Sequence, residues 1–107
     1  AADTITTWAA AVSLREYKNI LGLGNPSDAL NLLLGTKIYK FHYKPGFGTQ
    51  DLETEYMGAM SDETPWAMHY KGGVLNPINT FGYTTLAIQA LYEKIAVLER
   101  QVAKLRA

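Results

Sequence analysis

The sequence predicts an α+β fold, with a small antiparallel sheet and short helices attached to a long C-terminal coiled-coil helix. Three observations carry that expectation. First, Ile88, Leu91, Ile95, Leu98, Val102 and Leu105 recur alternately three and four residues apart, the a/d pattern of a heptad seam. Second, Tyr39, Phe41 and Tyr43 alternate with Ile38, Lys40, His42 and Lys44, the period of a half-buried strand. Third, glycines and prolines cut the intervening chain into short pieces, at Gly22, Gly24, Gly35, Pro45-Gly46-Phe47-Gly48 and Gly72-Gly73.

Taken in order, residues 1–12 are small and Thr-rich, and Ile5, Trp8 and Val12 fit either a strand or an extended linker. Leu14, Tyr17 and Leu21 recur at near-helical spacing before Gly22, which allows one or two helical turns. Asn25-Pro26-Ser27-Asp28 reads as a helix entry capped by Ser27 or Asp28, leading into Ala29, Leu30, Leu32, Leu33 and Leu34 and ending at Gly35. The strand over 37–44 turns its aromatics inward and leaves His42 with the lysines. A second strand over 55–60 is expected to pair with it. Ser61 to Pro65 looks like a capped start to a short helix through Trp66, Ala67 and Met68. Residues 74–83, interrupted by Pro77, read as an edge strand or irregular arm that delivers the chain to Thr84, the expected cap of the final helix.

Within that helix, Ile88, Ile95 and Val102 fall at a and Leu91, Leu98 and Leu105 at d. Lys94 at g and Glu99 at the following e are placed to pair between parallel chains. The alternative is an amphipathic helix lying on its own domain. A globular core usually takes a wider apolar face than a strict a/d stripe, and Ala90, Ala96 and Val97 widen this one enough to touch globular protein as well.

Composition bounds the function. The 107 residues make one domain, and 48% hydrophobic with 11% aromatic content suffices for a modest core. Ten basic residues balance ten acidic ones, which gives no electrostatic footprint for nucleic acid or an anionic membrane. With no cysteine and two isolated histidines, no disulfide framework, metal site or cofactor is expected. No apolar run approaches the roughly 18 residues of a membrane span, and residues 1–12 do not resemble a signal peptide. The start at Ala1 leads us to expect a segment of a longer polypeptide. Gly22-Leu23-Gly24 reads as a turn rather than a nucleotide loop. Trp8, Trp66, Met57 and Met60 are expected in the core or at a subunit interface.

One pair carries chemical interest. A lysine whose pKa is drawn down from about 10.4 by burial can take a proton from a serine hydroxyl, and Ser13 and Lys18 offer such a pair. Their five-residue spacing puts them on one face of neither a helix nor a strand. On residue types alone, Ser13 reads as a helix cap and Lys18 as a surface lysine rather than as a catalytic pair.

The order of elements points further. Ser13 with Arg15, Lys18, Asn19 and Ile20, then Phe41, Tyr43 and Lys44, then Met57, Gly58 and Ala59, and finally Tyr83 followed by the heptads, resembles the C-terminal intramolecular chaperone domain of phage tailspikes and tail fibres, of the endosialidase type. The resemblance covers Ser13 to the end. It implies a homotrimer that registers the upstream fibre or stalk of the same polypeptide while that folds. Residues 1–12 would then be the end of the stalk or a linker, 13–83 the globular chaperone domain and 84–107 the trimerisation helix. It further implies release by a single-turnover serine endopeptidase step at Val12-Ser13, with Ser13 the nucleophile and Lys18 the general base, and coupling to assembly through burial of Lys18 in the trimer. The setting would be a phage virion tail fibre or spike, or else a bacterial surface fibre. Ile and Val at a with Leu at d lean toward two strands in simple parallel coils, so the globular part would have to enforce three. The alternatives are an uncut structural trimerisation cap at a fibre tip and, from another class, an adaptor whose coil binds a different protein.

Overall fold

The computed structural model describes residues 13–107. Its α+β architecture comprises helix α1 (Pro26–Leu34), strands β1 (Tyr39–Phe41) and β2 (Tyr56–Gly58), and helix α2 (Pro77–Arg106), with 3-10 turns at Arg15–Tyr17, Ser61–Glu63 and Pro65–Ala67.

Helix α1 begins two or three residues earlier than its sequence suggested. Asn25, not Ser27 or Asp28, is the N-cap: its side chain accepts the Asp28 N–H at 3.1 Å, and Pro26 occupies the first turn, where a missing N–H costs nothing. Gly35 closes the helix as expected. Ala29 and Leu30 are buried, but Leu32 and Leu34 are exposed, so the apolar run is covered on one side only.

The strands pair antiparallel, with Tyr39 opposite Gly58, Lys40 opposite Met57 and Phe41 opposite Tyr56. The predicted alternation is present. Tyr39, Phe41 and Tyr43 are half-buried while Ile38, Lys40, His42 and Lys44 are exposed. Phe41 stacks on Tyr56 at 5.8 Å, and Tyr43 meets both rings edge-on at 5.3 and 5.1 Å, so a small aromatic cluster holds the hairpin together. The connecting loop folds back over it. Gly48, at φ +61°, lies against the Tyr43 ring, where any Cβ would collide. Tyr39 donates to Glu63 at 3.1 Å; that bond and the nearby carboxylate charge hold the phenol protonated and raise its pKa.

Asp51 organises the far end of the loop. It accepts the Thr54 hydroxyl and the Glu53 and Thr54 N–H groups, and these bonds, the hydroxyl first, hold its carboxyl below the usual carboxylate range. A depressed folded-state pKa stabilises the turn above the unfolded value of about 3.9, and that contribution is lost as pH falls through the folded value. In a carboxyl NMR titration Asp51 should therefore titrate at lower pH than an ordinary aspartate, and loop shifts should follow it; a normal midpoint would count against this turn.

Instead of the short helix expected after Pro65, two 3-10 turns form, neither with a side-chain cap. They dock on the start of α2. Trp66 lies 5.0 Å from Tyr83, Asn79 Nδ2 donates to the Trp66 carbonyl at 3.0 Å, and Thr64 and Ala67 are buried. Gly72 and Gly73, both at positive φ, then reverse the chain.

The main correction concerns α2. It starts at Pro77, not at Thr84, so the expected arm over 74–83 is largely helix and the anticipated boundary at 83/84 falls inside it. Asn76 caps it, accepting from Ile78 N–H at 2.9 Å and Asn79 N–H at 3.3 Å, and Pro77 stands at a first-turn position with φ pre-set for a helix. Thr84 lies within the helix. Replacing Asn76 by Ala should cost about 1 kcal/mol and fray the first turn. A thermal-denaturation midpoint equal to that of the parent would argue against this cap.

The core sits where the helices meet. Leu30 packs with Ala87 and Ala90, flanked by Leu33. Gly24 permits a close approach: a Cβ there would stand 2.6 Å from Leu86 Cδ1. Leu30 is the one large hydrophobic side chain among the buried residues described.

Candidate functional site

Two features of the surface bear on function. The first is the start of the described chain. Leu14 and Lys18 are both extended, and between them Tyr17 N–H donates to the Leu14 carbonyl and Lys18 N–H to the Arg15 carbonyl, each at 3.1 Å. This single 3-10 turn between extended residues folds the chain back on itself. Lys18 Nζ consequently donates to Ser13 Oγ at 2.7 Å, a contact that no regular helix or strand makes over five residues.

As an ammonium, Lys18 is the donor in this bond. Once deprotonated it becomes an acceptor, and the direction reverses, with Ser13 Oγ–H donating to Nζ. That reversed bond is the geometry in which an amine takes a hydroxyl proton. Both residues are exposed on the single chain. Val12, the other half of the expected scissile bond, lies outside the described residues, as does Trp8.

The second feature is the face of α2. Ile88, Leu91, Ile95, Leu98, Val102 and Leu105 are between 45% and 86% exposed. Helix α1 takes a different stripe. Ala87 and Ala90 each precede an a/d residue by one position, about 100° around the helix, and they alone among the helix's described residues are buried. An amphipathic helix lying on its own domain would have buried the a/d residues. Here the domain covers the alanines and leaves the seam open.

The exposed stripe is also longer than the sequence suggested. Phe81 stands seven residues before Ile88 and Thr84 seven before Leu91, and Phe81 is 75% exposed. The signal that would have revealed this extra heptad was Asn76-Pro77, a helix start. Lys94 and Glu99 flank the stripe, both exposed, and the salt bridge formed along the helix joins Arg100 to Glu93 at 3.7 Å. Such an exposed pair is worth little.

Of the other residues placed in a core or interface, Met57 is exposed while Met60 and Trp66 are half-buried. Among the described residues no group of His, Asp or Glu is positioned to hold a metal ion, and no helix is long and apolar enough to cross a membrane.

Compared with known proteins, the chain matches no family model, no curated protein and no solved structure.

Proposed function

We propose that this chain is an assembly domain: three copies join along the α2 seam, hold fibre or tailspike subunits in register while the stalk folds, and then cut themselves free at Val12-Ser13. The observation that carries the reading is the uncovered a/d stripe from Ile88 to Leu105, since a helix spends apolar residues at heptad spacing, pointing away from its own domain, only when other helices are to cover them. In the proposed step Lys18 takes the hydroxyl proton of Ser13 and Oγ attacks the Val12 carbonyl carbon. The C–N bond breaks as the Ser13 nitrogen gains a proton, and water hydrolyses the resulting ester. Tethering beside the scissile carbonyl replaces a bimolecular encounter, and the 2.7 Å contact with Lys18 supports the assignment of the base.

N-terminal analysis of the purified chain after incubation tests the chemistry. The reading requires a new terminus at Ser13 and the appearance of a peptide spanning residues 1–12. The second reading, an uncut cap that ends a fibre, is favoured by the exposure of Ser13 and Lys18 on the single chain. It requires assembly with Ala1 retained at the terminus.

A further inference from the structure

We infer that self-cleavage turns Ser13 into an acyl acceptor for small thioesters: the freed terminus takes an acyl group on Oγ and passes it to its own nitrogen. This rests on the cut at Val12-Ser13 proposed above and adds a second reaction at the same atoms, whatever the number of chains that associate.

Two observations meet at Ser13. The 3-10 turn over Arg15–Tyr17 holds Lys18 Nζ 2.7 Å from Ser13 Oγ, so the hydroxyl has a fixed partner before any substrate arrives. Ser13, Leu14 and Lys18 are all exposed, so a small acyl donor reaches that hydroxyl from solvent.

The cut adds a third group. Breaking the Val12-Ser13 amide leaves Ser13 with a free α-amine, one carbon away from the carbon that bears Oγ. An α-amine ordinarily titrates near 7.7–8.0, against about 10.4 for a lysine, which makes it the better placed base near neutral pH. A hydroxyl served by its own terminal amine is an established form of activated nucleophile. The roles at the site therefore divide differently after the cut. The α-amine accepts the hydroxyl proton, while Lys18, as an ammonium, donates to Oγ and steadies the negative charge that develops there.

The step balances with a thioester as the only co-reactant. Oγ attacks the thioester carbonyl carbon as its proton moves to the α-amine. The C–S bond breaks, and the sulfur leaves with that proton as a thiol. The α-nitrogen, neutral again, attacks the same carbonyl through a small cyclic intermediate. The bond from the carbonyl carbon to Oγ breaks, a proton passes from nitrogen to Oγ, and an amide remains. This second stage is the ester-forming step of self-cleavage run in reverse, which a thioester makes possible by delivering its acyl group already activated.

The test uses the full 107-residue chain, incubated until N-terminal analysis finds Ser13 and then treated at neutral pH with S-acetyl-N-acetylcysteamine. The released peptide over residues 1–12 supplies the comparison in the same tube, because Ala1 has an α-amine with no hydroxyl beside it. Ser13 should be acetylated at least about tenfold faster than Ala1, since its hydroxyl captures the acyl group within reach of the amine. The acetyl group should also survive hydroxylamine, as an amide does and an ester does not. Equal rates at the two termini, or an acetyl group that hydroxylamine removes, would overturn the inference and leave the cleavage standing. A chain that keeps Ala1 and never shows a Ser13 terminus would remove both.

Discussion

Replacing Ile95 by Asp should turn the assembly into monomers at any practical concentration. Ile95 is an a residue in the middle of the seam, 54% exposed on the single chain. In three strands its three side chains meet at the axis. Losing a buried Ile forfeits about 1.5–3 kcal/mol per copy, roughly 5–9 kcal/mol per trimer, before any cost of burying three like charges is added. At 1.4 kcal/mol per decade the association constant should fall by at least about three orders of magnitude. The monomer should keep its α1–α2 contact, because that contact uses Ala87 and Ala90 and not Ile95. Helical signal should drop partially, since the end of α2 beyond that contact is exposed and a lone helix of this length is marginal. Arg100→Ala provides the control. It removes only the exposed pair with Glu93, worth about 0.5 kcal/mol at most, and should leave the sedimentation profile unchanged.

Ser13→Ala should abolish self-cleavage outright, and Lys18→Arg should slow it by about two to four orders of magnitude. The arginine variant is the more informative. Guanidinium keeps the positive charge and still donates to Ser13 Oγ, yet cannot give up a proton in the accessible range. A purely structural role for Lys18 predicts that Arg preserves cleavage; a general base predicts its loss. The pH profile has a definite sign. Only the neutral amine accepts a proton, so the rate should rise with pH. A rate that falls as pH rises would remove Lys18 from the role of base.

The parts of this fold legible in the sequence are those with a repeating period. Tyr39 and Phe41 announced a strand because side chains alternate strictly in a sheet, although it stops at Phe41, short of the expected residue 44, and the two isoleucines, Val102 and three leucines announced a long helix because heptad spacing keeps them on one helix face. Boundaries were read less well, and for a common reason. Pro77 looks like an interruption when seen from the residues before it, but like a first helical turn when Asn76 is counted as its cap; the same shift explains Asn25 and Pro26. The 3-10 turns after Met60 are too short for any period to form. The approach of Lys18 to Ser13 depends on two backbone hydrogen bonds over Leu14 to Lys18, which five-residue spacing does not encode. That the buried stripe of α2 is Ala87 and Ala90 became readable only once α1 was in place against it.

The most direct test of a self-releasing trimer is a native mass spectrum of the 107-residue chain, followed by dissociation of the selected assembly into its subunits. A self-releasing trimer should appear as an assembly of three subunits, each shorter than the full 11.8 kDa by residues 1–12 and beginning at Ser13. A full-length monomer would contradict it entirely, and a trimer of full-length chains would leave the seam standing while contradicting the cleavage.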